Sequence, residues 1–114
     1  MADPTAEFFA ELAERGREPL LQNATGTLRL ELTHGKRTER WLIELDKGEV
    51  SLSRRNSAAD GVVRTTKALF DRLARGEANA FTAYLRGEID GEGDLALILL
   101  FERLLPGPAA KRKR

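Results

Sequence analysis

The segment that most constrains this chain is residues 95–105, Leu-Ala-Leu-Ile-Leu-Leu-Phe-Glu-Arg-Leu-Leu, whose first seven positions are uninterrupted by a polar side chain. A helix lying on a core needs one apolar stripe, and here apolar groups point all the way round. From a cap at Asp94 to Leu105 such a helix is roughly 18 Å long, against the ~30 Å hydrocarbon core of a bilayer, so it cannot span a membrane. Three covers for its outer face remain: more of the protein, a second subunit, or a lipid-like ligand.

The other elements follow from capping and period. Asp3 and Pro4 open a first helix, with Phe8, Phe9 and Leu12 on one face and Gly16 as its stop. After Pro19, Leu20 and Leu21 the period becomes two. Leu28, Leu30 and Leu32 alternate with Arg29, Glu31 and Thr33, and His34-Gly35-Lys36 turns the chain. Trp41, Ile43 and Leu45 form the next strand, Asp46-Lys47-Gly48-Glu49 a hairpin turn, and Val50 and Leu52 a third strand. Residues 54–61 read as a loop and 62–65 as a strand. Thr66 caps a helix carrying Leu69, Phe70 and Leu73, with Gly76 as its stop, and 78–83 reads as a further helical turn. Residues 84–90 read as a fifth strand, Asp94 caps the closing helix, and Pro106-Gly107-Pro108 ends it. This order describes one α+β domain, a five-stranded, mostly antiparallel sheet with helices packed on one face. The domain is expected over 1–108, with 109–114 as a basic, disordered tail.

Composition narrows the chemistry. At 114 residues the chain builds one core and at most one site. It has no cysteine and a single histidine, His34, which excludes thiolate chemistry and any site of several histidines. Lys111, Arg112, Lys113 and Arg114 supply four positive charges to a net charge of +1, so the body is mildly acidic. The start, Met1-Ala2-Asp3-Pro4-Thr5, lacks the pattern of a secretory signal, and a cytoplasmic location is expected. Gly91-x-Gly93-x-x-Ala96 fits a dinucleotide fingerprint in letters, but Glu92 and Asp94 would face the pyrophosphate and no βαβ unit follows. Asp90, Glu92 and Asp94 have calcium-loop spacing, yet Leu95 stands where glycine is needed and Phe101 where glutamate is. Asn23-Ala24-Thr25 is a sequon without a secretory route. His34 sits in a turn with no nucleophile in view, so no metal, cofactor or enzymatic activity is expected.

The ordered segments Trp41-Leu42-Ile43-Glu44-Leu45-Asp46-Lys47-Gly48, Ala59-Asp60, Ala68-Leu69-Phe70-Asp71-Arg72-Leu73-Ala74-Arg75-Gly76, Ala80-Phe81, Gly87-Glu88-Ile89 and Gly93-Asp94-Leu95-Ala96 resemble the sterol carrier protein type two family over most of the chain. The resemblance implies a five-stranded sheet with helices over one face, enclosing an apolar tunnel for a fatty acid, acyl-CoA or sterol. Two departures stand out. Gly91 occupies a position where the family commonly has an apolar residue, which weakens the last strand or leaves free volume beside the sheet. The ending Arg112-Lys113-Arg114 is not a peroxisomal tripeptide, and the Arg-rich balance fits a GC-rich bacterial genome better than a sterol-making cell.

The expected site is an apolar wall of Trp41, Ile43 and Val50 facing Phe81, Ile98, Phe101 and Leu105, with Arg15, Arg17 and Gln22 as headgroup contacts. Singly, each of these apolar residues also reads as plain core, and Arg15 and Arg17 as solvated charge. The basic tail adds about 1 kcal/mol per residue near an anionic bilayer, enough for transient membrane contact, whereas nothing points to nucleic acid. The expected function is non-enzymatic binding or transfer of an apolar lipid by a monomer or weak dimer. The alternatives are an interaction or dimerisation domain using the closing helix, and an accessory role presenting acyl substrates to a separate enzyme.

Overall fold

A computed structural model describes residues 3–16, 22–55 and 57–105. The chain runs α1 (Pro4–Arg15), β1 (Thr25–His34), β2 (Arg37–Asp46), β3 (Glu49–Ser53), β4 (Gly61–Thr66), α2 (Lys67–Ala74), α3 (Ala80–Leu85), β5 (Asp90–Gly93) and α4 (Leu95–Glu102). The sheet order is β3-β2-β1-β4-β5. All neighbours pair antiparallel except β1 and β4, which are parallel.

Local signals in the sequence place most of these boundaries. The side chains of Asp3, Thr66 and Asp94 accept the backbone N–H groups of Ala6, Leu69 and Leu97, capping α1, α2 and α4. Gly16 closes α1 with a left-handed φ of 64°. The β2–β3 hairpin turns on Lys47 and Gly48, both at positive φ, as a two-residue turn matching strand twist requires.

The region before α4 differs from expectation. The sequence predicts a strand over 84–90, but Tyr84 and Leu85 belong to α3, which Asn79 caps through the N–H of Thr82. Gly87, at φ 77°, reverses the chain, and Glu88 donates to the Ala83 carbonyl. The strand therefore starts only at Asp90. The closing helix is also shorter than expected. It is α-helical to Glu102, after which Arg103, Leu104 and Leu105 donate to carbonyls three residues back, tightening the last turn.

Side chains alternate across a sheet, so the register assigns each residue to a face. Two of the rows that face the helices reach β5: Trp41, Leu30, Val63 and Gly91, then Leu52, Ile43, Leu28, Gly61 and Gly93. The inward side of the sheet thus runs from a tryptophan at β2 to bare backbone at β5. At ~4.8 Å per strand, Trp41 and Gly91 stand roughly 14 Å apart. The opposite face carries a charged row in which Glu31 accepts from Arg29 at 2.9 Å and from Arg64 at 3.1 Å.

α1 and α2 cover the β3-β2-β1 half. Phe9 stacks on Trp41 at 4.3 Å between ring centroids and lies parallel to Phe70 at 5.9 Å, while Phe8 meets Phe101 edge-on at 6.2 Å. Such pairs add about 0.5–1.5 kcal/mol each to the area they bury. Asp60 joins the sheet to α4: its carboxylate accepts the N–H of Thr27 at 2.9 Å, and its carbonyl accepts that of Asp94 at 2.8 Å.

A polar clasp holds α1 against α2. Buried Thr5 donates its hydroxyl to Asp71 at 2.6 Å, and Lys67 donates to both Asp71 and Asp3 at 2.9 Å. Hydrogen bonding from Lys67 lowers the Asp3 carboxyl below its ordinary value. Burial pushes Asp71 up, but the bonds from Thr5 and Lys67 outweigh it and the net direction is down. For Lys67 burial pushes down, and the two carboxylates reverse this to a net rise. Both depressed carboxylates contribute stability that is present above their unfolded value near pH 4 and lost as pH falls through the folded value. Asp71→Asn should therefore cost about 1–2 kcal/mol at pH 7 and progressively less as pH falls below the unfolded value near 4 towards the folded value. Urea melts of both proteins over a descending pH series check this; a cost that does not diminish at any acid pH contradicts it.

Candidate functional site

The candidate site lies at the β5 edge. Gly91 and Gly93 place no side chain on the inner face, so the sheet does not fill this edge as it does beneath α1 and α2. A groove of about 230 Å³ opens there, lined by Phe81, Tyr84, Ile89, Gly91, Leu95, Ile98, Leu99 and Glu102. A Cβ at Gly91 would lie 3.4 Å from the Ile98 side chain, at the floor of this groove. Behind it, a gap of about 30 Å³ lies among Val63, Phe70, Leu73, Ile98, Phe101 and Leu105, no more than one water molecule's share of space. A third hollow of about 130 Å³ adjoins through Phe81, Glu102 and Leu105, towards Asn79.

The rim is apolar and open. Leu95, Leu99 and Phe81 are 52%, 56% and 57% exposed, Leu85 is 68% exposed, and Tyr84 is exposed beside them. These five are the large exposed hydrophobic residues among those described, and they gather on α3 and α4. Scattered surface leucines need no explanation, but a contiguous apolar patch marks a binding surface. α4 buries only Leu97 and Phe101 fully, which accords with apolar groups all round it.

The structure divides the residues expected to form one wall. Phe81, Ile98, Phe101 and Leu105 line the groove and its adjoining hollows. Trp41, Ile43 and Val50 do not. Trp41 is packed under Phe9 with the Arg54 guanidinium 4.3 Å over its ring, and donates its indole N–H to Glu39 at 2.6 Å. Ile43 is fully buried, and Val50 is held by its N–H to the Gly16 carbonyl at 3.0 Å. All three belong to the side-chain-filled half of the sheet, and the groove is lined instead from α3, α4, β5 and Ile89 before it. Of the expected headgroup contacts, Arg15 ends α1 and borders a separate cleft with Glu7, Phe8, Glu11, Ala74 and Leu104. Gln22 lies in an exposed turn before β1, and Arg17 falls outside the described residues, as do Lys111, Arg112, Lys113 and Arg114.

Several lining residues were not foreseen. Tyr84, Leu95, Leu99 and Glu102 entered no expected site, because the first was placed on a strand and the others are indistinguishable in letters from core or solvated surface. Gly91 carried the usable signal, as a glycine where free volume beside the sheet was foreseen.

The family model described as SCP-2 sterol transfer family matches residues 7–106. The chain belongs to that family. The chain is 26% identical over 112 residues to hydroxysteroid dehydrogenase-like protein 2 of Xenopus laevis, covering 96% of this chain but only 27% of that protein. The same fold recurs in the solution structure of sterol carrier protein 2 from Aedes aegypti in complex with palmitate, with a TM-score of 0.69 and 21% identity over 90% of this chain and 94% of that one. It recurs also in the stereoselective inverting sec-alkylsulfatase Pisa1 from Pseudomonas sp., at a TM-score of 0.68 and 24% identity, over 88% of this chain and 16% of the sulfatase. At these identities the structural likenesses show the SCP-2 fold. Among the described residues of this SCP-2 family chain, no helix is long and apolar enough to cross a membrane.

Proposed function

We propose that this SCP-2 family domain binds the apolar part of a lipid in the groove between α3, α4 and β5, and carries it without transforming it. The observation that carries this reading is the open apolar groove floored by Gly91, with Leu95, Leu99 and Phe81 exposed at its rim. Burying a methylene is worth roughly 0.8 kcal/mol, so a chain of a dozen carbons offers about 10 kcal/mol before ordering costs. The groove, at about 230 Å³, falls just under the ~300 Å³ at which ligand sites begin, so a long chain enters only as α3 moves outward from α4. α3 is suited to that motion, being six residues long with only Ala83 buried. The palmitate complex of the Aedes aegypti protein supports an acyl chain as the ligand type.

Native mass spectrometry of the gently purified protein is expected to find a co-purified amphiphile, and a fluorescent apolar probe is expected to bind at micromolar protein and be displaced by acyl compounds. No probe uptake at that concentration refutes the reading.

A second reading rests on the same exposed patch, which a partner helix would cover. Light scattering separates the two: a concentration-independent monomer favours the carrier, and a tight dimer that takes up no probe favours the interaction domain. The short share of the Xenopus laevis and Pseudomonas proteins that the chain spans supports a related role, presentation of an acyl substrate to an enzyme.

A further inference from the structure

Glu102 borders all three hollows on the α3–α4 side and is the one charged side chain among their lining residues. It takes part in no side-chain hydrogen bond or ion pair with a described residue, whereas Asp71, the partly buried acid between α1 and α2, is held by Lys67. The elements around it supply no countercharge: α2 presents Leu73, β4 and β5 present Val63 and Gly91, and α3 presents Asn79, Phe81 and Tyr84. Burial alone pushes its carboxyl up from the ordinary carboxylate value. Its place in the last turn of α4 adds to the cost, since the carbonyl end of a helix disfavours an anion. A residue that breaks both local rules without a partner among the described residues is placed as a group with a partner in the ligand would be.

We infer that Glu102 selects the lipid by its head: the groove takes an amphiphile whose polar end donates a hydrogen bond and carries no negative charge, such as a long-chain alcohol, and disfavours a free fatty-acid carboxylate. The inference rests on the groove being the lipid site. A hydroxyl within reach of Glu102 satisfies the carboxylate's acceptor oxygens in an apolar surrounding, where an unmet acceptor is costly. A carboxylate head in the same place sets two anions together with no cation between them. Arg15, which could have offset such a charge, lies at a cleft that shares no lining residue with the groove.

The test uses Nile red, an uncharged probe, displaced at pH 7.5 by 1-dodecanol or by dodecanoate from the wild type and from Glu102→Gln. In the wild type dodecanol is expected to displace the probe at a concentration at least tenfold below dodecanoate. In Glu102→Gln, which keeps the shape and removes the charge, dodecanoate is expected to improve at least fivefold while dodecanol changes by less than threefold. A ratio of the two that is the same in both proteins overturns the inference and leaves the groove standing. Absence of Nile red uptake by the folded wild type overturns the groove and this inference with it.

Discussion

Replacing Gly91 with leucine should leave a folded protein that has lost most of its affinity for apolar probes. Gly91 has no positive φ, and a Cβ there meets only the end of the Ile98 side chain at 3.4 Å, an ordinary contact. The β4–β5 pairing can therefore accept a side chain, and a β-compatible one in place of glycine offsets some backbone entropy. The four carbons of leucine would then occupy the groove floor, excluding about as many ligand methylenes, worth roughly 3 kcal/mol or about a hundredfold in dissociation constant. Titration with Nile red, alongside a thermal melt, measures both halves of the expectation. A variant that melts like the wild type and binds the probe equally well would remove the groove from consideration as the lipid site.

Two residues on, the same kind of substitution should act on the fold. Gly93 has a φ of 90°, and a Cβ there would collide with the carbonyl oxygen of Asp60 and lie 3.1 Å from the Cα of Gly61. Neither neighbour can move freely, because the Asp60 carbonyl accepts the N–H of Asp94, whose side chain caps α4. Gly93→Ala combines left-handed strain of ~1–2 kcal/mol with a backbone overlap of ~1–3 kcal/mol, for a loss of about 3 kcal/mol. For a domain of this size that should lower Tm by roughly 10 °C or more. Gly91→Ala, by contrast, should shift it little. Equal melting temperatures for the two alanine variants would contradict the packing described for the start of α4.

The pair shows why identical letters in one strand had different legibility. Both glycines could be recognised as departures from an ordinary strand, and free volume beside Gly91 could be foreseen. That Gly93 is a point of backbone contact with Asp60 could not, because the contact joins distant segments whose approach depends on the antiparallel pairing of β4 with β5, which sets Gly61 opposite Gly93. The same distinction explains why the residues expected to form one wall are divided. Trp41, Ile43 and Val50 have the alternation of an inward strand face, and they do face inward, but alternation reports the face and not the position along the sheet. Their half of the sheet is closed by Phe9 and its neighbours. The strand expected over 84–90 begins instead as helix for a local reason: Asn79 caps and Gly87 terminates a helical turn that takes Tyr84 to the groove.

Caps, turn residues and the two hydrophobic periods are properties of a few neighbouring residues, so the α+β class, four helix starts or their approximate places, the hairpins and the excess of apolar surface on the closing helix were all present in the linear chain. Strand order is a property of the closed sheet. Only when β5 took the outer edge beside β4 did two glycines fall opposite Val63 and Gly61 and leave one side of the inner face bare. The excess apolar surface of α4 was thus a local fact, whereas the hollow beside it, and the presence of Glu102 at its border, depended on which elements tertiary pairing brought to that edge.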